Sequence, residues 1–216
     1  MKQAILIADD HPLFREALNY IINSVLPDCE VKEATDYAET RSLLEQNEFK
    51  LAFVDLNMPD SNGLTDLALI KKLYPQTPII VVSAHEEANI IQTCLELNAS
   101  AYIIKSSSPE EIKKAIKIVL DGEIYTPPGV VHRMVKERSD NNSATKKISS
   151  LTPSQLTVLI EISKGKLNKQ IAYDLDISEA TVKAHITTIF KKLEINNRTQ
   201  AVLFAKNQET LTPNLQ

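Results

Sequence analysis

Cysteine is scarce in this 216-residue chain, which has only Cys29 and Cys94. Two thiols so far apart, both in apolar-looking segments, support neither a disulfide framework nor a metal cluster. Long hydrophobic runs are missing as well. No stretch approaches the roughly 20 apolar residues of a membrane span. The first residues pass straight into the strand-like Ala4-Ile5-Leu6-Ile7-Ala8 without a signal-peptide pattern. No membrane partner is expected, and the expected location is the cytoplasm. Positive charge is sparse in the first 125 residues, where 11 Lys and Arg face 20 Asp and Glu, a net of −9. Residues 126–216 carry 13 against 8, a net of +5, so the formal total of −4 hides an asymmetry. A basic C-terminal third on an acidic chain points weakly to nucleic acid.

What is present is organised around Leu51-Ala52-Phe53-Val54-Asp55-Leu56-Asn57-Met58-Pro59-Asp60-Ser61-Asn62-Gly63. An apolar run there ends abruptly in a carboxylate, and Pro59 with Asn62-Gly63 stops the strand within a few residues. Asp55 thus stands at a strand's carboxyl end, where open α/β sheets place ligands; capping the next helix is the plainer alternative.

Five strand-like stretches, over 4–8, 30–34, 51–55, 79–83 and 101–105, alternate with helical ones. Phe14, Leu18, Ile21, Ile22 and Val25 follow the 3.6-residue period, as do Ile112, Ala115, Ile116 and Val119. Ser108-Pro109-Glu110-Glu111 adds a capping-box start. This predicts an α/β doubly wound, five-stranded parallel sheet. Its strand ends carry Asp9-Asp10, Asp55, Ser83 and Lys105. Three crowded carboxylates repel unless a cation sits among them, and hard oxygen donors suit Mg²⁺. A lysine and a hydroxyl opposite would complete a phosphoryl cradle. His11 and His85 fall nearby but lack ligand-like spacing and are read as capping or solvated.

On these residues, with Met58-Pro59, Gly63 and Ser83-Ala84, the chain from 1 to about 122 resembles the flavodoxin-like receiver domain of two-component response regulators. The resemblance implies that Asp55 accepts a phosphoryl group from a sensor histidine kinase. It implies Mg²⁺ on Asp9, Asp10, Asp55 and the Asn57 backbone carbonyl, with Lys105 on the phosphoryl oxygens. Ser83 and Tyr102 resemble the family's switch pair, a population shift between two packings. Ser106 follows Lys105 where proline is usual, so the usual cis bond there is in doubt.

Pro127-Pro128-Gly129 marks the exit from this domain, and the polar run Ser139-Asp140-Asn141-Asn142-Ser143-Ala144-Thr145 reads as linker, with a short helix possible over 130–137. Boundaries of 1–124, 125–147 and 148–216 follow. From Leu151 the pattern turns helical in four short pieces, with starts at Thr152-Pro153-Ser154-Gln155, Asn168, Ser178 and Asn197. In the third, Val182, Ile186, Ile189, Phe190 and Leu193 share a face and leave Lys183, Ala184, Thr187, Thr188 and Lys191 outward, which fits a small all-α helix-turn-helix unit.

Leu151-Thr152-Pro153, Asn168-Lys169-Gln170-Ile171-Ala172, Thr181-Val182-Lys183-Ala184-His185 and Lys191-Lys192-Leu193 resemble the LuxR-type DNA-binding domain. Joined to a receiver, this is the arrangement of the NarL/FixJ family. Asp176 and Glu194 stand where the family often has glycine, so Asp176 is expected in a left-handed conformation. The resemblance implies double-stranded promoter DNA as partner. Lys183, Ala184 and Thr187 would face base edges, and Lys169, Lys191 and Lys192 the phosphates. A homodimer contact is expected through Ala201, Val202 and Ala205. The reading is a bacterial transcription regulator rather than an enzyme. A phosphatase lacks an acid at Asn57, and the basic outward helix argues against a phosphorelay adaptor acting through protein contacts alone.

Overall fold

Side chains that alternate along each strand explain the layering of the sheet. Ile5, Ile7, Leu51, Phe53, Ile80 and Val82 are buried on one face, and Leu6, Ala8, Ala52, Val54, Ile79 and Val81 on the other. Strands buried on both faces read as near-continuous apolar runs, as these do. The computed structural model describes residues 3–128, 130 and 142–210, with side chains left aside at 142–144 and 207–210.

The strands are β1 (Ala4–Ala8), β2 (Glu30–Ala34), β3 (Phe49–Asp55), β4 (Ile79–Ser83) and β5 (Ala101–Ile104), all parallel, in the order β2-β1-β3-β4-β5. β3 begins two residues earlier than expected, because buried Phe49 pairs with Ala4 ahead of a register shift. β5 ends at Ile104, although the Lys105 N–H still bonds the Ser83 carbonyl at 2.8 Å. Edge strand β2 carries Glu30, Lys32 and Glu33, charges that discourage further strand pairing.

Helices α1 (Pro12–Val25) and α5 (Pro109–Leu120) cover one face. α2 (Tyr37–Gln46), α3 (Leu64–Leu73) and α4 (Ala88–Glu96) cover the other. The Ser108 box forms as read: the Glu111 N–H donates to Ser108 Oγ at 3.3 Å and the Ser108 N–H to Glu111 Oε2 at 3.1 Å. Gly63 (φ 53°) supplies the left-handed turn into α3.

The C-terminal unit contains α6 (Asn142–Ser150), α7 (Pro153–Ser163), α8 (Asn168–Asp174), α9 (Glu179–Leu193) and α10 (Arg198–Thr210). α6 begins inside the stretch read from sequence as linker and crosses its expected end at 147. Its reason is tertiary, since Thr145 and Ile148 are buried along with the following Leu151. Of the short helix expected over 130–137, residues 131–137 lie outside the described residues. The Thr152–Gln155 box and the Ser178 and Asn197 caps form as read. Asn168 does not cap α8: its Oδ1 accepts from Arg198 at 3.1 Å, and the Leu167 N–H is taken by Gln170 Oε1 at 2.7 Å. One apolar core runs from the sheet through α3 into α7 and α10. No helix among the described residues is long and apolar enough to cross a membrane.

Candidate phosphoryl and nucleic-acid sites

The topology reverses between β1 and β3, so the ends of β1, β3, β4 and β5 lie side by side, and β2, whose end carries no such group, lies outside them. Asp9, Asp55 and Lys105 meet there. Lys105 Nζ lies 2.8 Å from Asp55 Oδ2 and 2.8 Å from Asp9 Oδ2, and 5.2 Å from the centre of the Phe14 ring. Both acids are buried. Burial raises the Asp55 carboxyl above the usual carboxylate range, opposed by the bond and charge of Lys105 and by the Asn57 N–H, which donates to Asp55 Oδ1 at 3.0 Å. Burial alone would lower the Lys105 ammonium; its bonds to Asp55 and Asp9 leave it raised instead.

Asp9, Asp10, His11 and Asp55 each offer a ligand atom, all within 4.8 Å of one another. Apart from ion contacts with Lys105 and His11, Asp9 Oδ2 and Asp10 Oδ1 are buried without a hydrogen-bond partner. Three carboxylates against one lysine leave excess negative charge on hard oxygens, and a hard divalent cation fits that set. His11 is exposed at the N-cap position of α1, as read, and its Nδ1 also lies in this cluster, 2.7 Å from Asp10 Oδ1 and 3.2 Å from Asp9 Oδ1.

Ser83 is buried at the end of β4, and its Oγ accepts the His85 N–H at 3.3 Å. Tyr102 points inward, fully buried, and its hydroxyl donates to the His85 carbonyl at 3.0 Å. The plainer reading of a tyrosine with its hydroxyl in water therefore fails. Burial pushes that phenol far up. His85 closes over the site, its Nε2 3.2 Å from Asn57 Nδ2. No cis peptide occurs among the described residues. Arg15 went unnoticed in the sequence. Its Nη1 donates to the Asp9 carbonyl at 2.8 Å and its Nε to Glu33 at 2.9 Å, which holds the acidic turn in place. Its position on α1, one turn after Asp9-Asp10-His11, was the available signal.

In the C-terminal unit α8, a turn and α9 form the helix-turn-helix. Asp176 takes φ 52° in the turn, and Glu194 takes φ 57° at the end of α9, so both glycine-like positions are left-handed. Val182, Ile189 and Leu193 are buried, and Lys183, Ala184, Thr187 and Lys191 are exposed on α9, as is Lys169 on α8. Lys183 pairs with Glu179 at 3.1 Å. Lys192, expected on a phosphate, is half-buried. Its Nζ bonds the Ser150 carbonyl at 2.7 Å and Gln155 Oε1 at 2.9 Å, which ties α9 to the start of α7. The expected dimer residues also need correction: Ala201 and Ala205 are buried in the chain's own core because α10 turns that face to α7 and α3, and Val202 is half-buried.

Residues 5–117 match the family described as response regulator receiver domain, and residues 149–205 the bacterial regulatory proteins of the luxR family. The chain belongs to the LuxR-type response regulators. This response regulator is 40% identical over 207 residues to the glycerol metabolism activator of Pseudomonas putida, covering 93% of this chain and 94% of that protein. It is 31% identical to the nitrate/nitrite response regulator protein NarL of Escherichia coli (strain K12), covering 94% and 95%. The RcsB response regulator of Salmonella typhimurium shares its fold, with a TM-score of 0.58 and 24% identity over 96% of this chain and 100% of that one. As a family member it is a DNA-binding transcription regulator, its receiver joined to a LuxR-type helix-turn-helix.

Proposed function

We propose that this response regulator is controlled by phosphorylation at Asp55 and binds promoter DNA as a dimer. The observation that carries the reading is the buried Asp9–Lys105–Asp55 contact at the switch point, with both ion pairs at 2.8 Å, on a chain whose α9 leaves Lys183, Ala184 and Thr187 exposed. An Asp55 carboxylate oxygen attacks the phosphorus of a phosphohistidine on a sensor kinase; the P–N bond breaks, and the imidazole leaves with the electron pair and takes up a proton. Lys105 holds a compact positive charge against the phosphoryl oxygens. Asp9, Asp10, Asp55 and the Asn57 carbonyl would hold Mg²⁺, which when bound offsets negative charge at the acceptor. Ser83, already lodged beside the site, would bond the new phosphoryl group, and Tyr102 is the neighbour whose packing responds.

Lys183, Ala184 and Thr187 would read base edges, with Lys169 and Lys191 on phosphates. RcsB, whose fold the chain shares, has been solved as two dimers bound to two parallel DNAs. Pairing through α10 requires Val202 and exposed Leu203, or release of Ala201 and Ala205 from the intrachain core. The test is binding to a pool of promoter fragments with and without a small-molecule phosphodonor and Mg²⁺, in the parent and in Asp55→Ala. Tightening confined to the parent is expected. Equal binding by both proteins would retain the DNA-binding unit and remove its control by Asp55.

A further inference from the structure

The seam between the two folded units holds a polar cluster that the phosphoryl chemistry does not use. α3 buries every residue from Leu64 to Ile70 between the sheet and the C-terminal unit, including Asp66 at 2% exposure. Asp66 Oδ2 accepts the backbone N–H of Asn62 and the Ser61 hydroxyl, the latter at 3.1 Å. Asp66 Oδ1 is buried without a hydrogen-bond partner. The side chain of the same Asn62 faces the other way, and its Oδ1 accepts the Ser163 hydroxyl from the last turn of α7 at 2.6 Å. One acid therefore holds, by its backbone, the residue that the DNA-binding unit grips by its side chain, in the loop that leaves Asp55.

We propose that Asp66 is a proton-sensitive latch at the domain seam: neutral, it stays buried beneath α7 and keeps 61–62 in place under Ser163, whereas ionised it favours separation of α7 from α3. The groups that face it come from each neighbouring element. α2 contributes the Tyr37 hydroxyl, itself influenced by Arg41 and Tyr74. The end of α7 contributes Lys164, and the loop contributes the neutral donors Ser61 and Asn62. Burial dominates and lifts the Asp66 carboxyl to about 7, against the bonds from Asn62 and Ser61 and the charge of Lys164. Separation that admits water returns the group toward about 3.9.

The docked form then binds the proton more tightly, so docking is strongest in acid. It weakens as pH rises through the interval between the two values and levels off above about 7. Between pH 6 and 8 the docking constant falls by up to about tenfold in the limit of full exposure.

The experiment reads docking in the full chain by resonance energy transfer between dyes placed on either side of the seam, across pH 6–8, with mild urea to bring the equilibrium into range. The parent is expected to lose docking at least threefold over that interval. Asp66→Asn keeps the shape without the titrating proton and is expected to give a flat profile. Lys164→Gln, a change at an exposed side chain, removes a cation that favours the ionised acid and is expected to move the midpoint upward. A flat parent, an Asp66→Asn protein with the parent's slope, or a Lys164→Gln midpoint that stays or falls would each overturn the latch. Neither DNA nor phosphodonor enters, so the result is independent of whether Asp55 controls DNA binding.

Discussion

Lys105→Met should separate the electrostatic role of this lysine from its packing. Methionine retains an unbranched chain beside Phe14 but removes the cation that lies 2.8 Å from both Asp55 and Asp9. The two acid side chains are each 1% exposed and the lysine 17%, so solvent compensates little. Leaving a buried charge without its partner costs about 3–5 kcal/mol. With a urea slope of roughly 2 kcal/mol per molar, the unfolding midpoint should fall by about 2 M at pH 7 without Mg²⁺. The pH dependence has a definite sign. Burial already raises the Asp55 carboxyl with Lys105 present, and removing the lysine raises it further, so the deficit shrinks as pH falls and Asp55 becomes neutral. Mg²⁺ should stabilise the variant more than the parent, because the site it enters is more negative. Urea unfolding followed by circular dichroism at pH 7 and pH 4.5, with and without Mg²⁺, measures all three effects. A midpoint within 0.3 M of the parent (about 0.6 kcal/mol at that slope), or a deficit identical at both pH values, would refute the electrostatic account.

Salt titrations of DNA binding should divide the lysines of the C-terminal unit. Lys191→Ala should weaken binding to all sequences and reduce the salt slope by about 1, whereas Lys183→Ala should also relax base preference. Lys192→Ala, which breaks the tie to Ser150 and Gln155, should lower the melting temperature of that unit and change the salt slope least; three indistinguishable variants would contradict the assignment. Glu194→Gly should raise the melting temperature by a few degrees, because a left-handed conformation costs an L-residue about 1–2 kcal/mol and glycine returns only part of that through the unfolded chain. An unchanged or lower melting temperature would show that relief at φ 57° does not exceed the loss of the Lys147–Glu194 ion pair at 2.8 Å.

Much of both folded units was legible because their signals are local. Three strands match their sequence boundaries, the capping boxes at Ser108 and Thr152 form, and Asp176 takes the left-handed conformation expected where glycine is usual. Errors occurred where a partner distant in sequence decides. Residues 142–147 look like polar linker until α6 forms with Thr145 and Ile148 buried. Lys192 is one basic residue among several until Ser150 and Gln155 meet it.

The sequence by itself determined the five-strand alternation, the strand-end placement of Asp9, Asp55, Ser83 and Lys105, and the polar outer face of α9. Those follow from the period of apolar residues and from caps that act within four positions of the chain. Tertiary structure alone decided that Ala201 and Ala205 are buried inside the chain, that Tyr102 turns inward, and that Asn62, held by Asp66, meets Ser163 at a seam. A lone acid within Leu64-Thr65-Asp66-Leu67 says nothing of its surroundings. Its surroundings include α7, about a hundred residues away in sequence, which packs on α3 and bonds Asn62 through Ser163.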